Sequence, residues 1–145
     1  MTTQNNINIK VDINPSKDND ELIRNALHAF NVAAIGKEDH YSVFAFDASN
    51  EIIGGALIYA EKSSIFIDNL WIHELYRGKG IGSKLIAAAE QEGIHRKIPF
   101  STTDTFTFQA VDFYLKQGYD KIGVIKNYME GHDKVYFRKN IFNNN

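Results

Sequence analysis

The stretch that decides the fold of this chain reads Leu70-Trp71-Ile72-His73-Glu74-Leu75-Tyr76-Arg77-Gly78-Lys79-Gly80-Ile81-Gly82-Ser83-Lys84-Leu85-Ile86. The run from Ser64 to Ile72 is β-branched and aromatic, which predicts a strand. Residues 81–92 repeat apolar side chains at helical spacing, at Ile81, Leu85, Ala88 and Ala89. The glycines therefore lie between a predicted strand and the first turn of a predicted helix.

Glycines at the start of a helix indicate an anion site. Without side chains they let the backbone approach a ligand, and the first N–H groups of a helix have no partner within it. Anions are favoured at that end of a helix. Three cations, Arg77, Lys79 and Lys84, surround this turn, although the whole chain has a formal net charge of -2. The positive charge is therefore local, and a phosphorylated cofactor is predicted.

The spacing of the glycines separates three classes of phosphate loop. A nucleoside triphosphate loop ends in Gly-Lys-Ser or Gly-Lys-Thr, whereas Gly82 is followed here by Ser83-Lys84. A dinucleotide loop follows the first strand of a βαβ unit and displaces its third glycine, whereas these glycines are evenly spaced and lie mid-chain. The remaining pattern, Arg-Gly-x-Gly-x-Gly after a strand ending Leu-Trp-Ile, resembles the acetyl-coenzyme A (acetyl-CoA) loop of the GNAT family of N-acetyltransferases.

A second segment extends this resemblance. It reads Asp104-Thr105-Phe106-Thr107-Phe108-Gln109-Ala110-Val111-Asp112-Phe113-Tyr114-Leu115-Lys116-Gln117-Gly118-Tyr119 and is similar to the later motif of the family. The resemblance covers roughly residues 52–137. It implies a mixed α/β fold with a central, mostly antiparallel sheet of six to seven strands, splayed between its fourth and fifth strands and flanked by helices.

The pattern of residues gives the expected elements in order. Strands are predicted at 7–13, 41–47, 52–61, 64–72, 99–103, 121–125 and 135–140. Helices are predicted from near Asp20, capped by Asp18 or Asn19 and ended at Gly36, and at 81–92 and 108–117.

Length and composition narrow the class of protein. A chain of 145 residues is expected to form one domain, 1–145. With no cysteine there are no disulfides, thiolate metal sites or cysteine nucleophile. No apolar run is long enough to span a membrane and the first residues do not read as a secretory signal, so a cytoplasmic protein without a membrane partner is expected. The acidic charge balance disfavours nucleic acid as a partner.

The resemblance implies how acetyl-CoA is bound. The pantetheine arm would pair with the backbone of Leu70 and Ile72, and the Ile72 N–H would face the thioester carbonyl. The pyrophosphate would rest on N–H groups from Gly78 to Ser83, with Arg77 adding charge. The family often has an asparagine where Thr107 stands, so Thr107 or Gln109 would replace that contact. The predicted cofactor-binding residues are Leu70, Trp71, Ile72, Arg77, Gly78, Lys79, Gly80, Ile81, Gly82, Ser83 and Gln109.

Two side chains are candidates for the chemistry. Tyr114 matches the family's tyrosine that donates a proton to the departing thiolate, and its alternative is a packed core tyrosine. Asp68 is the candidate base, because period-two geometry puts it on the side of Leu70 and Ile72, and its alternative is a surface charge. Other candidate bases are Glu61, His73 and Glu74. No metal is predicted, since the histidines lack ligand spacing.

The sequence thus predicts direct transfer of acetyl from acetyl-CoA to a primary amine in a ternary complex. The acceptor is a small amine or a peptide amine of unassigned identity. A non-catalytic acyl-CoA-binding or regulatory domain is the alternative. A homodimer through a late strand edge is left open. The expected acceptor side, by resemblance, comprises Phe30, Asn31, Glu38, Asp39, His40 and Tyr41.

Overall fold

The computed structural model describes residues 6–142, which fall into two units, Met1–Lys37 and Glu38–Asn145. In the first unit, helix α1 spans Lys17–Ile35. The Ser16 hydroxyl accepts a hydrogen bond from the Asn19 N–H at 3.2 Å, so Ser16 caps the helix and the predicted caps Asp18 and Asn19 are wrong. Gly36, at φ +86°, ends the helix as predicted, with its N–H donating to the Val32 carbonyl at 2.8 Å.

The strand predicted at residues 7–13 is wrong. That segment has no regular secondary structure, and the sheet is built from six strands of the second unit. Alternation of apolar and polar residues favours an extended backbone, but a strand also requires a neighbour for its hydrogen bonds.

The second unit is mixed α/β, as predicted. Its strands are β1 (Asp39–Phe46), β2 (Ile52–Ala60), β3 (Ser64–Ile72), β4 (Phe100–Phe106), β5 (Asp120–Met129) and β6 (His132–Asn140). Its helices are α2 (Ile81–His95) and α3 (Val111–Lys116), with a short 3-10 turn at Glu74–Tyr76. Among the residues that the structure describes, no helix has both the length and the apolar character needed to cross a bilayer.

Two predicted boundaries are corrected by the local backbone geometry. Helix α3 begins at Val111 rather than at residue 108, because the Gln109 N–H donates to the Phe106 carbonyl at 2.9 Å and closes a turn first. Strand β5 runs on to Met129, where a tight turn with Glu130 and Gly131 at positive φ leads into β6.

The sheet order is β1-β2-β3-β4-β6-β5. All neighbouring strands are antiparallel except β3 and β4, which are parallel. The β3–β4 register ends at Ile67↔Thr103, although both strands continue beyond it. The predicted splay between the fourth and fifth predicted strands, which are β3 and β4, is therefore confirmed.

Helix α2 packs on one face of the sheet. Its buried residues recur at helical spacing: Gly82, Leu85, Ile86, Ala89, Glu90 and Gly93. The predicted face was wrong at Ala88, which is exposed. The core beneath includes Ile58, Ile65, Ile67 and Phe137, and each fully buried side chain of this size contributes roughly 1.5–3 kcal/mol. The core thus fixes α2 against the end of β3. It also fixes residues 77–82, the glycine loop, which lead into α2.

Candidate active site

The glycine loop ends in a helix terminus with no side-chain cap. Gly78 and Gly80 have φ of +74° and +79°, a backbone conformation that residues with side chains rarely adopt. Gly80 is the N-cap of α2, no side chain accepts from the first turn, and that turn contains no acidic residue. Its N–H groups are consequently available to an anion, with the positive end of the helix dipole behind them.

Gly82 has a different role from the other two glycines. A Cβ atom built at Gly82 would lie 3.1 Å from the Ile72 Cδ1 and 3.1 Å from the Phe113 Cε2, whereas at Gly78 and Gly80 it would meet nothing within 4 Å. Gly82 therefore lets α2 begin in close contact with the end of β3 and with α3.

The polar side chains of the loop also hold it in place. The Arg77 Nε donates to the Ile72 carbonyl at 2.9 Å, and Lys79 Nζ lies 5.5 Å from the centroid of the Tyr76 ring. The Ser83 hydroxyl accepts from the Gln117 side-chain amide at 2.8 Å, which joins α2 to the residue after α3. The Ser83 side chain is thus occupied, and its backbone N–H is the group that remains for a ligand.

Past the splay point, β3 presents a backbone edge that β4 does not cover. The His73 N–H donates to the Ile53 carbonyl at 2.8 Å, and in the same register Ile72 lies opposite Gly54. Because hydrogen-bonded and non-bonded pairs alternate in an antiparallel ladder, Leu70 and Ile72 direct their N–H and C=O groups away from β2. This edge can pair with an extended ligand as an additional strand would.

A β-bulge lies at the start of this edge. Ile58 is opposite Ile67, but the next residue of β2 towards its start, Leu57, is opposite Asn69, so Asp68 is the extra residue. Ile65 and Ile67 are buried before the bulge, and Leu70 and Ile72 are partly buried after it. The period-two argument that placed Asp68 with Leu70 and Ile72 is therefore wrong, because the bulge interrupts the alternation.

The splay opens a crevice of about 160 Å³ between β3, β4 and α3. It brings together four of the predicted site residues, Asp68, Leu70, Gln109 and Tyr114, with Ile67, Asn69, Thr103, Asp104, Thr105 and Ala110. A second cavity of about 400 Å³ runs along the start of α3 and shares Gln109 and Ala110 with the crevice. Asp104 of the crevice wall lies 3.9 Å from Lys134 Nζ, and no spacing in the sequence indicated this pair.

Tyr114 is buried where α3 meets this crevice. It is 4% exposed and packs against the rings of Phe113, Tyr119 and Phe137, at centroid distances of 5.2, 5.5 and 5.7 Å. Burial raises the pKa of Tyr114, and the neighbouring Thr103 hydroxyl acts in the opposite direction. A tyrosine with a raised pKa remains protonated at neutral pH, so it can donate a proton.

The two candidates for the family's asparagine contact are both engaged. The Gln109 Oε1 accepts from the Phe106 N–H at 2.9 Å and from the Thr105 hydroxyl at 3.2 Å, leaving its side-chain NH₂ group as a donor. The Thr107 hydroxyl accepts from the Asp133 N–H at 3.2 Å. Of the two, Gln109 is the one that lines the crevice.

Some predicted residues lie elsewhere. The Trp71 side chain borders an apolar cavity with Phe44 and Leu57, outside the crevice. His73 Nδ1 accepts from the Leu75 N–H at 3.2 Å and so caps the short turn after β3. Glu61 and Glu74 do not line the crevice. Within residues 6–142, no group of three or more histidine, cysteine, aspartate or glutamate side chains is arranged to hold a metal ion.

The known proteins that this chain resembles are acetyltransferases. A family model described as "Acetyltransferase (GNAT) family" matches residues 7–119. An Agrobacterium fabrum acetyltransferase, Atu2258, is 28% identical over 122 residues, covering 83% of this chain and 89% of the relative. The Blasticidin-S acetyltransferase of Streptomyces morookaense is 33% identical over 92 residues, covering 63% of this chain and 68% of the relative.

A solved structure matches the fold as well. The crystal structure of an acetyltransferase from Bacillus cereus superposes with a TM-score of 0.79 at 27% sequence identity. The match covers 90% of this chain and 97% of that one.

Proposed function

Because this chain belongs to the GNAT family of acetyltransferases, which use acetyl-CoA as co-substrate, we propose that it transfers the acetyl group directly to a primary amine. The observation that carries the proposal is the crevice at the splay. There, the buried Tyr114 and the bulged Asp68 line one space with Leu70, and Ile72 lies two residues further along the same uncovered edge of β3. These are the three kinds of group that acyl transfer to an amine requires: an oxyanion donor, an acid and a base.

The cofactor is held by backbone more than by side chains in this proposal. The pyrophosphate binds the uncapped N–H groups at the start of α2, where Gly78 and Gly80 keep the surface open. The pantetheine arm pairs with the backbone of Leu70, and the thioester carbonyl faces the Ile72 N–H, because the Ile72 carbonyl already accepts from Arg77 Nε at 2.9 Å. The thioester then lies at the crevice, because that is where β4 has diverged from β3.

The amine attacks acetyl-CoA directly, and transfer passes through one tetrahedral intermediate. The amine nitrogen attacks the thioester carbonyl carbon, a C–N bond forms, and the Ile72 N–H donates to the oxyanion. The C–S bond then breaks, and coenzyme A leaves as a thiol after accepting a proton from Tyr114. Asp68 accepts the proton that the amine loses. The sequence contains no cysteine, which excludes transfer through an acetyl-cysteine, and both substrates are bound together in the proposed reaction.

Isothermal titration of acetyl-CoA tests the cofactor site. We expect saturable binding to the wild type and at least about tenfold weaker binding to Gly80→Glu, since a carboxylate at a helix N-terminus competes with a phosphate. Gly80→Ala imposes the same strain at φ +79° without charge and should lose less affinity. Gly123→Glu on β5, where a Cβ meets nothing within 4 Å, should bind as the wild type does.

Thiol release with a panel of primary amines tests the transfer itself, with mass spectrometry to identify the acetylated product. Initial rates measured at varied concentrations of both substrates should give intersecting lines in double-reciprocal plots, as a ternary complex requires. A folded wild type that does not bind acetyl-CoA would contradict the proposal, and parallel lines would contradict direct transfer.

A further inference from the structure

A cavity outside the crevice lies on strands β1, β2 and β3. Its volume is about 280 Å³, and it is lined by His40, Tyr41, Ser42, Leu57, Ile58, Tyr59 and Asp68. We refer to it as the His40–Tyr59 cavity. All of its lining residues belong to the unit Glu38–Asn145.

Asp68 is the residue that lines both the His40–Tyr59 cavity and the crevice. This double position follows from the bulge, which takes Asp68 out of the regular alternation of β3. Within the described part of the chain, Asp68 forms no salt bridge and no side-chain hydrogen bond. Its carboxylate is therefore available to a group that reaches from one space into the other.

Two stacked aromatic rings form part of the wall of the cavity. His40 and Tyr59 are opposite one another in the β1–β2 register, and their rings stack at a centroid distance of 6.0 Å with an interplanar angle of 14°. Leu57 beside them is 46% exposed. A planar or apolar molecular body fits such a wall better than a heavily hydroxylated one, because aromatic surfaces favour stacking and apolar contact.

The charges around the cavity favour a bound molecule that carries an ammonium group. Asp68 is the one carboxylate in the lining, and neither lysine nor arginine contributes to it. An ammonium group is attracted to this position, whereas a carboxylate next to the amine would be repelled. The volume of about 280 Å³ lies just below the range of roughly 300–1,000 Å³ that is usual for small-molecule pockets, which suits a small acceptor.

We propose that the His40–Tyr59 cavity holds the body of the acceptor, a small primary amine with a planar apolar portion and no carboxylate beside the amine. Asp68 receives the ammonium group and directs its nitrogen into the crevice. This inference rests on the proposed function. It narrows the acceptor class by excluding free amino acids.

Tyramine and tyrosine form a matched pair of probes, because they differ only in the carboxylate beside the amine. In thiol-release assays, kcat/KM for tyramine should exceed that for tyrosine by at least about tenfold in the wild type. Asp68→Asn lowers both rates, but the ratio between the two probes should fall several-fold, and Asp120→Asn on β5 should leave the ratio unchanged. Loss of the base lowers the rates with both probes, whereas loss of repulsion between Asp68 and the carboxylate of tyrosine changes the ratio of their kcat/KM values.

Tyr59→Ala tests the aromatic wall separately from the chemistry. KM for tyramine should rise about five- to tenfold, with kcat changed less than about twofold and acetyl-CoA affinity unchanged, because uniform binding is what is lost. Tyr128→Ala, at a comparably exposed tyrosine on β5, should retain the wild-type KM. Tyramine binding is also followed by the imidazole NMR signals of His40. These signals should shift saturably in the wild type and only weakly in Tyr59→Ala.

Failure of the cavity assignment can be distinguished from failure of the proposed acetyl transfer. Equal rates for tyramine and tyrosine, an unchanged KM in Tyr59→Ala, or no saturable shift of the His40 signals would each overturn the cavity assignment. Acetylation of other amines in the same assay would then leave the proposed function standing. Acetyl-CoA binding without acetylation of any amine would overturn the proposed function, whatever the NMR titration shows.

Discussion

Thr103 and Ile67 form the last register pair between β3 and β4, and the Thr103 hydroxyl donates to the Ile67 carbonyl at 2.9 Å. Thr103 is 2% exposed. This side chain therefore satisfies a carbonyl at the point where the two strands separate. A hydroxyl at the splay lets the ladder end without leaving a buried acceptor unpaired.

Thr103→Val tests this role, because valine keeps the shape and removes the hydroxyl. The free energy of unfolding in urea should fall by about 1–3 kcal/mol, the cost of a buried acceptor without its partner. Thr102→Val is the control, since the Ile65 carbonyl that Thr102 contacts at 3.3 Å also accepts from the Ser64 hydroxyl at 2.8 Å. Equal losses in the two variants would contradict a special role for Thr103.

Tyr114→Phe tests the proposed acid. The ring packing is retained, so acetyl-CoA affinity should change less than about twofold, while kcat should fall about 10²-fold because the thiolate leaves without its proton. Tyr119→Phe is the matched control: it is also buried, its hydroxyl lies 2.7 Å from the Ser101 hydroxyl, and it does not line the crevice. An unchanged kcat in Tyr114→Phe would leave this tyrosine a packing residue.

Gly82→Ala tests the close contact between α2, β3 and α3. The added Cβ would lie 3.1 Å from both Ile72 Cδ1 and Phe113 Cε2, and overpacking of this kind typically costs about 1–3 kcal/mol. Thermal unfolding should therefore occur at a lower temperature than in the wild type. Gly123→Ala places its Cβ where nothing lies within 4 Å and should not show this loss. Full stability of Gly82→Ala would mean that the neighbours relax freely.

Lys139→Met tests the buried ion pair between α2 and β6. Lys139 Nζ lies 2.6 and 2.9 Å from the two carboxylate oxygens of Glu90, whose side chain is 8% exposed. Burial raises the pKa of Glu90 and the hydrogen bond from Lys139 opposes this. Removing the lysine leaves a buried carboxylate unpaired, so unfolding in urea should show a loss of about 3–5 kcal/mol.

The double variant Glu90→Leu/Lys139→Met completes this test. Removing both charges avoids the unpaired carboxylate, so the double variant should be more stable than Lys139→Met alone. A double variant at least as unstable as the single one would show that packing, rather than the uncompensated charge, dominates the loss.

Tyr41→Phe tests the dependence of stability on alkaline pH. Burial raises the pKa of Tyr41 to about 12, and its hydroxyl donates to the Ala89 carbonyl at 2.6 Å. Because the folded pKa lies above the unfolded value of about 10, the contribution is complete below pH 10 and is lost as the pH rises towards 12. In Tyr41→Phe, the decline in unfolding free energy over this range should be shallower than in the wild type. Equal declines would contradict the shifted pKa.

Much of the fold could be predicted because its signals are local. The pattern of 64–72 predicted β3 with the bounds that the structure gives, and the glycines after it predicted the start of α2 at Ile81. Alternation alone was not sufficient at 7–13, where no strand forms. Hydrophobic periodicity describes the preference of a segment, but whether it becomes a strand depends on a partner.

The candidate site was predictable only in part. Tyr114 and the glycine loop lie in continuous motifs, so their place could be inferred before any geometry was known. The position of Asp68 could not, because the bulge depends on how β3 is registered against β2. The His40–Tyr59 cavity depends on the same register, since residues nineteen positions apart in the chain meet there.

The sequence by itself determined the character of the glycine loop, because the spacing of its glycines before a helix and the cations beside them are properties of adjacent residues. Only the tertiary structure decided which groups meet at the splay. There, the Ile67↔Thr103 pair ends one ladder, the bulge turns Asp68 towards two spaces, and α3 brings Tyr114 to the crevice. The physical reason is that strand register and helix packing are set by contacts between segments far apart in the chain, which no local pattern encodes.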